Sequence, residues 1–123
     1  GEKIALLSFG SMLTPCLAAA EELNATVVNM RFIKPLDDEL VASLAANHDL
    51  LVTVEENTIM GGAGSAVAES LYKQKIYTKI LQLGLPDTFI DQGDHAQMLA
   101  NCGLDKDGII DSVNSTLSNG SLL

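Results

Sequence analysis

The sequence predicts a single α/β domain, a doubly wound and mainly parallel sheet of about five strands with helices on both faces. Three observations carry that prediction. Short apolar runs alternate with amphipathic segments, and the run Leu50 to Val54 is too uniformly apolar for a strand with one wet face. The core must also be aliphatic, because 47% of the 123 residues are apolar while Trp is absent and only two Tyr and three Phe occur. A chain of this length builds one core.

The first strand is the apolar run Lys3 to Phe9, closed by Gly10. A helix follows over Met12 to Leu23, with Cys16, Ala19, Ala20 and Leu23 at helical spacing. Ser11 or Thr14 is placed to cap it, and Pro15 fits its first turn, where an amide has no helical partner to lose. The same opening mimics a signal peptide, but a single basic residue precedes it and the strand-then-helix pattern recurs downstream, so it reads as structure.

Thr26 to Met30 is the second strand, β-branched and short, and Pro35 in the connection Arg31 to Pro35 stops further ladder pairing. Asp37 is the expected N-cap of the second helix, with Asp38 and Glu39 at its positive end and Leu36 stapled onto Val41. Leu40, Val41, Leu44 and Ala45 form its buried stripe. Leu50 to Val54 is the third strand, central and ending at Glu55-Glu56-Asn57. Beyond Gly61, Gly62 and Gly64 the stripe Ala63, Ala66, Val67, Ser70 and Leu71 restores helical period, with small residues where a helix lies close to a sheet.

Ile80 to Leu83 is the fourth strand, closed by Gly84 and Pro86. Asp94 then caps a short helix to Cys102, Gly103 stops it, and Asp105 opens a last helix docked by Ile109, Ile110, Val113 and Leu117. The domain is expected over residues 1–117, with 118–123 a disordered tail.

Sixteen acids against seven bases give a net charge of −9, which argues against nucleic acid because its binders neutralise phosphates with Lys and Arg. Arg31 with Lys34, and Lys73 with Lys75 and Lys79, read as solvated faces. No run reaches the ~20 apolar residues of a membrane span. Cys16 and Cys102 are too few and too far apart for a disulfide framework, which suits a cytoplasmic setting.

The segment LVTVEENTIMGGAGS holds the candidate site: Glu55, Glu56, Asn57, Gly61, Gly62, Gly64 and Ser65. Strand ends of open α/β sheets place ligands there, a carboxylate there can move protons, and glycines before a helix present amides to an anion. Yet no Lys-Ser or Lys-Thr follows the glycines and the later glycine of the dinucleotide pattern is missing, so close helix-to-sheet packing or an interface is the favoured reading. His48 and His95 have no acid partner in view, and Ser11 and Ser65 lack the surroundings of a nucleophilic serine. No metal-ligand spacing appears.

Three stretches in order, MRFIKPLD at Met30 to Asp37, VEENTIMGGAGSAV at Val54 to Val67 and GLPDTFIDQG at Gly84 to Gly93, resemble the 1-deoxy-D-xylulose-5-phosphate synthase family. The resemblance covers nearly the whole chain but only the C-terminal, transketolase-like third domain. It implies a parent enzyme that condenses pyruvate with D-glyceraldehyde 3-phosphate using thiamine diphosphate and magnesium, which feeds isoprenoid, thiamine and pyridoxal synthesis. The Gly-Asp-Gly segment with a downstream Asn that holds the metal and diphosphate is missing, and Gly93-Asp94-His95 does not replace it. The resemblance therefore implies no catalytic, cofactor-binding or metal residue in this chain. It implies instead a domain that docks on the rest of its own polypeptide and supports a homodimer. The C-terminal domain of a thiamine-dependent dehydrogenase beta subunit and a free-standing anion-binding regulatory module are the alternatives.

Overall fold

The structure, a computed structural model, describes residues 3–30, 36–58, 62–85 and 103–120. In chain order the elements are β1 (Ile4–Ser8), α1 (Leu13–Leu23), β2 (Thr26–Asn29), α2 (Asp38–Asn47), β3 (Leu50–Thr58), α3 (Ala63–Lys73), β4 (Lys79–Leu85) and α4 (Lys106–Gly120). The strands form one sheet in the order β2-β1-β3-β4 with every pair parallel. Four strands are present among the described residues, where about five were expected. Residues 86–102, which include Asp94, His95 and the proposed short helix, lie outside them.

Alternation along each strand sorts the core into two layers. Ile4 and Leu6 of β1 with Leu50, Val52 and Val54 of β3 meet Cys16 and Ala19 of α1 and Ile109 and Val113 of α4. Ala5, Leu7 and Leu51 point the other way, onto Val41, Leu44 and Ala45 of α2 and Val67 and Leu71 of α3. Both faces of β1 and β3 are thus covered, as a doubly wound parallel sheet requires. Each fully buried aliphatic side chain contributes about 2 kcal/mol of transfer free energy.

The ends of the helices follow local chemistry in some places and tertiary demand in others. The Asp37 carboxylate accepts from the amides of Glu39 (2.9 Å) and Leu40 (3.2 Å), the expected N-cap, and Leu36 and Val41 share one apolar cluster. α1 differs, since its N-cap position is Met12 with no side-chain cap, and neither Ser11 nor Thr14 serves. Asn24 ends α1 in the left-handed region at φ 53°, its amide returning to the Ala20 carbonyl. Asp105 accepts from the Gly108 amide at 2.9 Å ahead of α4. That helix continues through Ser118 to Gly120, where a tail was expected, because its backbone ladder persists past the last docked residue, Leu117.

Candidate functional site

With this strand order the chain leaves β1 toward one side of the sheet and later returns on the other, so the topological switch point lies between the carboxyl ends of β1 and β3. There the Phe9 amide donates to the Val54 carbonyl at 2.9 Å, and the Ser11 hydroxyl donates to the Glu56 carboxylate. The loop after β1 is thereby tied to the end of β3. Ser11 is spent across the sheet rather than on its own helix.

β3 does not stop at Val54. It continues to Thr58 with an irregular register against β4 between Val54 and Thr58, so Glu55 and Glu56 lie within the strand, where they were expected at its carboxyl end. Pairing with β4 extends the strand, since Leu85 faces Thr58 beyond the irregularity. Adjacent positions on a strand point oppositely, and the two glutamates consequently part company. Glu56 is half-buried and reaches Ser11, whereas Glu55 is 2% exposed and turns under the first turn of α3.

There the Glu55 carboxylate accepts from the Ala63 amide at 3.1 Å and the Gly64 amide at 2.5 Å. These are two of the donors that a helix N-terminus leaves without a partner, and the carboxylate also meets the positive end of the helix dipole. Burial nevertheless pushes the Glu55 carboxyl above the ordinary carboxylate range, opposed by the bonds from Gly64 and Ala63. The glycine-rich turn does present amides to an anion. That anion is the chain's own side chain.

Gly64 is the residue on which the arrangement closes. A Cβ there would stand 2.5 Å from Thr53 Oγ1, 3.0 Å from Glu55 Oε2 and 3.2 Å from Gln82 Oε1, so only glycine lets α3 approach β3 and β4 this closely. The expected stripe of α3 shifts accordingly. Gly64, Val67, Ser70 and Leu71 are buried, while Ala63 and Ala66 are partly exposed. Ser65 lies beside them with its hydroxyl 3.4 Å from Gln82 Oε1. The Thr53 hydroxyl is fully buried with no hydrogen-bond partner among the described residues.

Of the sequence-derived candidates, the fold brings together Glu55, Gly64 and Ser65 at the start of α3 and sends Glu56 to the β1 loop. Gly62 is the N-cap position of α3, Asn57 belongs to β3, and Gly61 lies outside the described residues. His48 follows α2, as expected, and its Nδ1 donates to the Leu44 carbonyl at 2.8 Å. Three participants escape sequence reasoning. Thr53 and Gln82 have only their strand positions as signal, and Asp38 has a second task beyond the helix dipole. Its side chain accepts from Ser70 at 2.6 Å, and Gln74 Nε2 bonds both the Asp38 carbonyl and Ser70 Oγ at 3.0 Å, clasping α2 to α3.

A depression of about 740 Å³ opens at the opposite, amino end of the strands between Lys3, Glu22, Asn24, His48 and Asn114. It holds no paired nucleophile and base. Among the described residues no group of three or more His, Cys, Asp or Glu side chains is placed to hold a metal ion. At the start of α3 the Ala63 and Gly64 amides are taken by Glu55. No helix among the described residues is long and apolar enough to cross a membrane.

The family model for the transketolase C-terminal domain matches residues 1–109. The chain is 73% identical over 113 residues to 1-deoxy-D-xylulose-5-phosphate synthase of Nitrosospira multiformis, covering 92% of this chain and 18% of that protein. It is 70% identical over 118 residues to the enzyme of the same name from Nitrosomonas europaea, covering 96% and 19%. It thus spans about a fifth of the length of the curated relatives it matches. Among solved structures, a split-gene transketolase in an inactive β4 tetramer superposes with a TM-score of 0.84 at 31% identity, over 96% of this chain and 40% of that one. The match over residues 1–109, on a parallel doubly wound sheet, leads to one assignment: this chain belongs to the transketolase C-terminal domain family.

Proposed function

We propose that the chain is the C-terminal domain of a cytoplasmic, homodimeric 1-deoxy-D-xylulose-5-phosphate synthase and that its own role there is structural. The parent enzyme condenses pyruvate with D-glyceraldehyde 3-phosphate, releases carbon dioxide, and draws on thiamine diphosphate and magnesium held outside this domain; the product serves isoprenoid, thiamine and pyridoxal synthesis. The observation that carries this reading is the identity of 70% to 73% over nearly the whole chain to synthases of that name. The cofactor supplies the carbanion chemistry, and this domain supplies surface and rigidity.

The inward turn of Glu55 supports the structural role, because it leaves the glycine-rich turn without free amides for a substrate phosphate at Ala63 and Gly64. Subunit contact then falls to the outer parts of the strand-end loops, around Ser11 and Glu56, rather than to Glu55. The split-gene transketolase offers a parallel, as a chain containing this fold that is inactive in its own tetramer. The test is an assay of the full parent polypeptide for carbon dioxide released from pyruvate. Release that depends on D-glyceraldehyde 3-phosphate is expected, and release that instead depends on a dehydrogenase acceptor would reject the reading.

A further inference from the structure

We propose that the corner made by the end of α3, residues 74–78 and the start of β4 is a docking surface for an acid-rimmed face of a neighbouring domain of the same polypeptide. Both tyrosines of the chain stand there, Tyr72 85% exposed and Tyr77 94% exposed. Between them an open depression of about 350 Å³ is floored by Leu71, Ile76 and Ile80. Lys79 lines it, Lys73 and Lys75 stand beside its lining residues in the chain, all three are exposed, and no acid occurs from Tyr72 to Lys79. Three of the seven cationic residues of a chain with net charge −9 are therefore gathered at one apolar corner.

Tyrosine joins an apolar body to a polar tip and is enriched where protein surfaces meet, and domain interfaces within one chain are modest in area and polar at the rim. The lysines set the sign of the partner. Only Lys73 has a counter-charge among the ion pairs described there, Asp38 at 3.7 Å, and with the lysine side chain 73% exposed and the aspartate 47% exposed that pair neutralises little. A facing rim of Asp and Glu completes the corner.

Two facts favour a domain of the same chain over a separate partner. The matched relatives are about five times longer than this chain, which leaves ample polypeptide to supply the face. The strand register puts Ile4 opposite Leu50 and Leu50 opposite Lys79, so chain arriving at β1 comes in two strands from Lys79, roughly 10 Å away. Tethering makes association intramolecular, so a patch smaller than the ~800 Å² per side of a free complex suffices. The inference rests on the proposed function only in treating the chain as one domain of a longer protein.

The test is hydroxyl-radical footprinting of the full-length parent, read by mass spectrometry at Tyr72 and Tyr77. Docking predicts about half or less of the labelling that exposures of 85% and 94% dictate, and the double variant Lys75→Glu, Lys79→Glu should restore it. Full labelling in the unmodified enzyme overturns the proposal. So does protection that disappears on dilution, which assigns the corner to a second copy, or protection that appears only with an added single-stranded oligonucleotide. An active synthase with fully labelled tyrosines rejects the docking surface alone; an inactive parent with protected tyrosines rejects the proposed function alone.

Discussion

The carboxylate of Glu55, on the third strand, receives the backbone amide of Gly64, on the following helix, at 2.5 Å inside the fold. This bond joins strand to helix across nine positions of sequence and satisfies a helix-end donor that the glycine-rich turn would otherwise offer to an external anion. It also requires that residue 64 have no side chain.

The cost of a side chain at residue 64 is open to measurement. Gly64→Ala should destabilise the protein by about 2 kcal/mol in urea denaturation, because overpacking against the stiff Thr53 side chain at 2.5 Å outweighs the roughly 1 kcal/mol that alanine gains in a helix. Adding Thr53→Ala should recover much of that loss. Equal losses with and without Thr53→Ala would show that the crowding lies elsewhere.

The Thr53 hydroxyl is itself buried without a partner among the described residues. Thr53→Val keeps the branched shape and removes the unsatisfied group, so it should leave stability unchanged or raise it by about 1 kcal/mol. A loss above that size in the same denaturation assay would mean that the hydroxyl is bonded.

For Glu55, burial raises the carboxyl pKa in the folded state above its ordinary value. A raised pKa means that the folded protein holds this proton more tightly than the unfolded chain does. The associated stability is therefore fully present below the ordinary carboxylate pKa and is lost as pH rises through the raised value. Glu55→Gln removes the titration. The stability of the unmodified protein minus that of the variant should fall as pH climbs through that window and stay flat above it; a difference that grows with pH would reverse the sign of the shift.

At α2 the effect is purely local. Asp37→Ala removes two amide contacts from the start of the helix and should cost about 1 kcal/mol in chemical denaturation, without altering the subunit contacts of the parent enzyme.

Cys16 is fully buried between α1 and the sheet, and burial pushes its thiol up to about 12. As a neutral, enclosed thiol it should resist iodoacetamide at neutral pH until the protein unfolds. Peptide mapping that finds Cys16 modified in the native state would contradict this packing.

Much of this architecture is legible in the sequence because local and global demands agree. Leu50 to Val54 is apolar but for Thr53 and becomes a central strand, and Asp37 precedes an amphipathic run and caps it. Legibility ends where long-range geometry decides. Whether Glu55 belongs to a loop or to a strand depends on pairing with β4, and a period-two strand sends Glu55 and Glu56 to opposite sides although they read as an identical pair. Ser11 is as good a cap as any serine until the fold brings Glu56 within its reach. Tyr72 and Tyr77 carry no periodic signal of exposure, and only the packed structure shows that both lie outside the core.

The claim that the glycine-rich turn is a packing element with its own internal anion is tested most directly by the amide NMR signals of Ala63 and Gly64. Both should move together as Glu55 titrates and stay fixed when inorganic phosphate is added at neutral pH. Saturable phosphate-dependent shifts at these two amides, with no response to the titration of Glu55, would contradict the account.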